Sequence, residues 1–236
     1  MSKNWIGFWD NYRNVQARSE DDLFVQVGKT IARKPIPRPM FASMVANIVE
    51  RLALVQEDHL LDLCCGNGLV SFELAKVAGR VTAVDFARHL VEAARQLKSH
   101  PNIDYRVGDV SAPLRQLVDD TPNKFLMNDA LAYFEPTSLD SILDNIVHLR
   151  EGHPFHFLLT GIPNHALKWN FYDTPERQAR HLENEQLEHN TNEGIGRWWR
   201  IEELATACHA RGLQVEIIDQ AQAISNYRMD ALITPK

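Results

Sequence analysis

"LLDLCCGNGLV", residues 60–70, holds an apolar run with one carboxylate, Asp62, then two cysteines and a glycine pair ahead of a second apolar stretch. A strand that ends at Cys64, a turn carrying Gly66 and Gly68 and a helix starting near Leu69 would bring free backbone N–H groups to the carboxyl edge of a sheet, where ligands bind in open α/β folds. The glycines let a ligand approach the main chain closely.

The flanking sequence supplies the sheet. The runs "HLLDLC" (59–64), "RVTAVDF" (80–86), "NIDYRV" (102–107), "KFLMNDAL" (124–131) and "PFHFLLTG" (154–161) are apolar enough to be strands covered on both faces. They alternate with helical stripes at Phe41, Met44, Val45, Ile48 and Leu52, and at Leu139, Ile142, Leu143, Ile146 and Leu149, the second opened by a capping box at Thr137 and Asp140. Such alternation predicts a Rossmann-like α/β sheet, mostly parallel, with helices on both faces. A third stripe, Ile201, Leu204, Ala205 and Cys208, ends at Gly212; "LQVEIID" and "YRMDALI" then read as an antiparallel pair closing the sheet. Two segments break the alternation. Residues 1–40, with Trp5, Phe8, Trp9 and Tyr12 before "KPIPRP", read as an N-terminal helical cap, and residues 162–200, with Trp169, Phe171, Tyr172, Trp198 and Trp199, as an insertion after the fifth strand. Residues 41–236 are then the main domain.

A chain of 236 residues with 44% hydrophobic content can bury a full core, and a net charge of −6 without a basic tract speaks against a coat for a polyanion. Three cysteines form no disulfide framework, the beginning "MSKNWIGFWD" has no apolar leader and no stretch is long enough to span a bilayer. The expectation is a cytoplasmic protein with small-molecule partners, no nucleic acid and no membrane; oligomeric state is left open.

Asp85 ends the second strand, where a carboxylate accepts both ribose hydroxyls of an adenosine-containing cofactor. A dinucleotide fingerprint is incomplete, because Ser71 stands where the third glycine would be, so an NAD-dependent oxidoreductase is only a third reading. Adjacent Cys64 and Cys65 have the wrong spacing for zinc, and no metal is expected.

Together "LLDLCCGNG", "VTAVDF" and "YRVGDV" resemble, in register on successive strands, the cofactor motifs of class I S-adenosylmethionine-dependent methyltransferases. The resemblance runs from about Phe41 to the end, including "W-x-x-x-E-L…G-L-x-V" at 199–215, and "FWDNY" is similar to the aromatic lid found ahead of this domain. It implies a seven-stranded sheet with an antiparallel last strand and S-adenosyl-L-methionine as cofactor. Asp62, Cys64, Gly66 and Gly68 would surround the methionine end, Asp85 the ribose and Phe86 the adenine face; Asp109 and the Val110 amide would read the adenine edge, and Asn128 to Ala130 would floor the sulfonium. The family's usual glycine is replaced by Cys64, which would be strained at positive φ.

Methyl transfer needs alignment and desolvation, and a base only where the acceptor loses a proton. His165, just after the fifth strand, and Asp129 and Tyr133, after the fourth, are the catalytic candidates, with His181 a further histidine of the insertion. "NDALAYF" lacks the N/D-P-P-Y/F pattern of amino-group methylation on bases, and no Pro-Cys nucleophile follows the fourth strand. The predicted acceptor is therefore a small molecule, methylated on oxygen or nitrogen, in a pocket walled by Tyr12, Trp169, Tyr172 and Trp199. The runner-up is a non-catalytic nucleoside-binding accessory or regulatory protein of the same fold.

Overall fold

The computed structural model describes residues 3–11, 16–186, 194–222 and 224–236. Tyr12 lies outside them. Helix α1 (Lys3–Asn11), helix α2 (Glu20–Gln26) and a two-residue-strand hairpin, β1 (Thr30–Ile31) with β2 (Lys34–Pro35), precede α3 (Arg38–Leu52). Then come β3 (His59–Leu63), α4 (Leu69–Leu74), β4 (Arg80–Asp85), α5 (Arg88–Leu97), β5 (Ile103–Val107), β6 (Lys124–Asn128), α6 (Pro136–Arg150) and β7 (His156–Pro163). Helices α7 (Lys168–Phe171), α8 (Pro175–Glu185) and α9 (Ile201–His209) and strands β8 (Leu213–Asp219) and β9 (Arg228–Pro235) complete the chain.

The seven-stranded sheet runs β5-β4-β3-β6-β7-β9-β8. Every pair from β5 to β7 is parallel, and β9 is antiparallel to both β7 and β8. The predicted sheet and its antiparallel last strand are therefore the observed ones. The reason is visible in the alternation of side chains. Leu60, Leu126 and Leu158 pack with α2, α3, α4 and α5 on one face, while Leu61, Leu63, Phe125, Met127, Phe157 and Leu159 pack with α6 and α9 on the other. A period of two with both faces covered yields a continuous apolar run.

Helix boundaries differ in two places. Helix α6 starts at Pro136 after Glu135, so Thr137 lies inside its first turn and caps nothing; proline at the first position, whose missing N–H is unneeded there, sets the start instead. Helix α3 begins at Arg38, inside the proline-rich stretch and across the 40/41 boundary read from the sequence. Cys208 is buried in the core and Gly212 turns the chain at φ +67. No helix among the described residues is long and apolar enough to cross a membrane.

The insertion packs against the sheet's carboxyl edge. Trp199 pairs with Asn164, donates its backbone N–H to Pro163 and its indole N–H to the Leu131 carbonyl at 3.1 Å, and is fully buried. Trp199→Ala leaves a ring-sized void and removes the indole bond to Leu131, whose carbonyl keeps the Phe134 N–H at 3.1 Å. The expected loss is about 3–5 kcal/mol, read from the urea midpoint at unchanged slope.

Candidate functional site

The turn after β3 has the geometry that the glycines implied. Cys64, Gly66 and Gly68 take φ of +64, +57 and +74. A Cβ at Gly68 would meet the Tyr105 hydroxyl at 2.4 Å, so glycine is required there twice over, by conformation and by space. Cys64 adopts the left-handed backbone without being glycine, at a cost of about 1–2 kcal/mol. Its side chain is packed against the core cluster beneath the turn, which offsets part of that strain.

Asp85 holds the turn. One carboxylate oxygen accepts the Gly66 N–H at 2.8 Å and the other the Ala87 N–H at 2.9 Å, joining the ends of β3 and β4. Asp85 is also part of the cavity wall. Asp62 sits behind the turn and accepts the Ser71 hydroxyl at 2.6 Å. Ser71 thus has a definite task at the place where a dinucleotide fingerprint would have its last glycine. Burial pushes Asp62 up to about 7 against the Ser71 hydrogen bond, with the Asp85 charge assisting. Burial, then the charges of Asp85 and Asp62, also push the Cys64 and Cys65 thiols up, which keeps them protonated and unreactive.

These groups open on a cavity of about 650 Å³ lined by Asp62, Cys64, Gly66, Asp85, Phe86 and Asn128, and by Asp129 and Tyr133 further along. That volume lies in the ordinary range for a small-molecule site. The Thr160 hydroxyl donates to the Asn128 side-chain oxygen at 2.9 Å. The N-terminal elements form the roof: Phe8 and Trp9 of α1, the chain from Val27 to Ile31, and Ile36. Tyr133 packs against Trp5 at 4.8 Å and Trp9 at 5.3 Å. Asn67, not singled out in the sequence, is fully buried and donates to the Leu23 carbonyl and the Gln26 side chain at 2.8 and 2.9 Å, fastening α2 to the turn.

Other expected site residues lie elsewhere. Asp109 is exposed, accepting the Ser111 N–H at 2.8 Å, Val110 is buried in the core, and neither lines the cavity. Gly68 is also absent from the lining and acts by shaping the turn. His165 follows the end of β7 but its ring meets Arg200 at 3.1 Å, away from the cavity; burial and the Arg200 charge lower its pKa. The insertion's aromatics turn to one another: Tyr172 stacks on His181 at 4.0 Å and touches Trp169, Phe171 and Trp198. Trp169 is 45% exposed, and of residues 194–200 only Gly194 reaches the cavity wall. Trp169, Tyr172 and Trp199 therefore do not line this cavity, because apolar periodicity shows that a ring is buried and not what it is buried against.

Asp129 reaches the cavity as a fixed charge. Burial opposes its ionisation, yet Lys29 and Arg228 outweigh that and hold the carboxyl below the usual carboxylate range, so it is no free base. Lys29 and Arg228 were not singled out by sequence reading, since each lies about 100 positions from Asp129. No His, Cys, Asp and Glu cluster suited to a metal occurs among the described residues.

Residues 60–151 match the family described as "Methyltransferase domain". A 23S rRNA (uracil(1939)-C(5))-methyltransferase of Marinomonas posidonica is 29% identical over 141 residues, 58% of this chain and 29% of that protein. A ubiquinone biosynthesis O-methyltransferase of Xanthomonas campestris pv. campestris is 36% identical over 94 residues, 39% of this chain and 36% of that one. The matches thus span about a third of those curated relatives. Among solved structures, a DhpI complex with SAH superposes with a TM-score of 0.63 at 14% identity, covering 100% of this chain and 98% of that one. The magnesium protoporphyrin IX methyltransferase of Synechocystis PCC 6803, solved with SAH, gives 0.60 at 14% identity, covering 99% and 96%.

Asp62 also sets a pH dependence. With a folded value near 7 against an ordinary 3.8, the folded protein keeps a proton that the unfolded chain releases, so this contribution is full below 3.8 and is lost as pH rises through 7. Asp62→Asn, which keeps a neutral acceptor for Ser71, is expected to flatten that fall in urea midpoint between about pH 4 and 7; an unchanged slope would assign it to other groups.

Proposed function

We propose, from the premise that residues 60–151 are a methyltransferase domain on a class I S-adenosylmethionine-dependent methyltransferase fold, that this chain transfers a methyl group from S-adenosyl-L-methionine to an oxygen or nitrogen of a small molecule. The observation that carries the reading is the junction of the glycine turn with Asp85 at the wall of one roofed cavity. Its parts fit the cofactor: left-handed glycine backbone permits close approach, and the Asp85 carboxylate and Phe86 both line the space.

When bound, the cofactor supplies an electrophilic methyl on a sulfonium. The chain's contribution is placement and exclusion of water. Asp85 and the turn fix the nucleoside end, while Phe8, Trp9 and Tyr133 close the roof over the reacting end and strengthen electrostatic interactions beneath it. Tyr133, whose hydroxyl donates to the Gly194 carbonyl at 3.4 Å, is the cavity-facing hydroxyl among the three catalytic candidates and would orient the acceptor. His165 takes no part in this reading and Asp129 enters as a charge.

A small acceptor is favoured over RNA by the cysteines as well as by the roof. Pyrimidine carbon-5 methylation through a thiolate needs a cysteine beyond β6, and the cysteine found there, Cys208, is sealed in the core. The reading places the chemistry inside the cell, in the cytoplasm, with a free metabolite as partner.

Titration calorimetry with SAM and SAH tests the cofactor assignment. Asp85→Ala is expected to weaken SAH at least about tenfold, the worth of a charge-assisted hydrogen-bond pair, with circular dichroism confirming the fold. Unchanged affinity would take Asp85 out of the site, and no binding of either compound to the native chain would overturn the reading.

A further inference from the structure

The acceptor end of the cavity carries an unusual piece of construction. Asp129 stands at φ +55, a backbone that aspartate adopts at a cost, directly after β6. Opposite it the pairing of β7 with β9 shifts register between Leu159 and Ile162, and the bulge holds Thr160 and Gly161, the latter at φ +68. A Cβ on Gly161 would come within 1.7 Å of the Asp129 carboxylate, so the bulge and the glycine together make the space into which that carboxylate fits. Two independent backbone irregularities thus converge on one side chain.

What they hold is a charge cluster with an excess of cation. Asp129 accepts from Arg228 at 2.7 Å and from the ammonium of Lys29, which comes from the roof; Arg228 also donates to the Gly161 carbonyl at 3.1 Å. The Lys29 and Arg228 side chains are 10% and 25% exposed, and all three groups line the cavity. Asp230, which accepts the Gly161 N–H at 2.8 Å beside the cluster, is pushed toward its neutral form by burial, so the two cations share the one Asp129 charge on a partly desolvated wall. Among the described residues Asp129 is the hydrogen-bond partner of the Lys29 ammonium, which has three donors to give. The same cavity is lined by Met40, Met44, Ile224, Tyr227 and Tyr133, with Asn128, Gln220 and Ser225 as polar members.

We infer that Lys29 and Arg228 form an anion subsite for the methyl acceptor, which is an apolar or aromatic compound bearing a carboxylate or phosphate. The inference rests on the methyltransferase reading for the word acceptor and deepens it by naming the substrate's chemical class. Asp129 is the positioning residue, setting the spacing of the two cations and reducing their charge so that the subsite binds an anion and still releases it.

The experiment measures binding of benzoate and phenyl phosphate, with benzyl alcohol as the neutral control, to the full chain saturated with SAH. The anions are expected to bind and the alcohol to bind at least about tenfold more weakly. Lys29→Met and Arg228→Gln are each expected to lower anion affinity about tenfold while leaving SAH affinity within about twofold, and Asp129→Asn to raise it. Arg228→Lys, which keeps the charge and loses the planar fork, is expected to fall between native and Arg228→Gln, providing a reading if the neutral variant folds poorly. Equal binding of alcohol and anions would overturn the subsite. So would a loss of SAH affinity in Lys29→Met or Arg228→Gln, which would give the cations to the cofactor, or a lowered melting temperature with anion binding unchanged, which would make the cluster a tether alone. A native chain that fails to bind SAH defeats the methyltransferase reading itself, whereas one that binds SAH and rejects the anions defeats this inference alone.

Discussion

The carboxylate of Asp85 is the constraint on which the site depends. It ends β4, yet its two oxygens are taken up by amides on either side, Gly66 in the turn after β3 and Ala87 before α5. The Cys65 N–H reaches the Val84 carbonyl at 3.0 Å across the same gap. Neighbouring parallel strands share no turn, so without such ties their ends would diverge where a ligand must be held. An ionised acceptor makes these bonds stronger than amide-to-carbonyl ones, and the same charge helps keep Asp62 neutral behind the turn. The side chain that ties the strand ends is also part of the cavity wall.

The roof is built on that turn and cannot be considered apart from it. Asn67 commits both amide hydrogens to α2, and Val27 lies where a Cβ on Gly66 would stand 3.2 Å from it. Lys98, at the end of α5, adds a 2.7 Å bond to Glu20 at the start of α2. Side chains of the glycine turn and the neighbouring helix therefore decide where the N-terminal aromatics sit. A ligand resting on the turn touches the roof that the turn has placed, so ligand binding and roof stability are linked.

Sequence reading reached the sheet because its strands are buried on both faces, and burial of that kind writes itself as unbroken apolar runs. It reached the turn because Gly66, Gly68 and Asp85 follow from steric and charge requirements that act over twenty residues. It even marked Cys64 as the point of strain, and φ there is +64. It failed where direction matters. The aromatics of residues 162–200 are as buried as expected at Tyr172 and Trp199, but they face each other and the core. His165 sits at the right strand end with its ring turned toward Arg200. The Lys29, Asp129 and Arg228 cluster was invisible for a different reason, since no local pattern ties three charges drawn from the first, middle and last parts of the chain.

Charge is distributed unevenly along the cavity as a result. One end has the Asp85 carboxylate with Asp62 close to neutrality behind it, and the other has two cations around Asp129. Methyl transfer from a sulfonium consumes a positive charge at the reacting centre, so the transition state is less cationic there than the ground state. In the proposed reaction, cations held at this end would disfavour the charged ground state more than the transition state in a low effective dielectric. Phe8, Trp9 and Tyr133 close that end. The backbone strain at Asp129 and the bulge at Gly161 fix the cluster's position in advance, so its field would require no rearrangement during the proposed transfer.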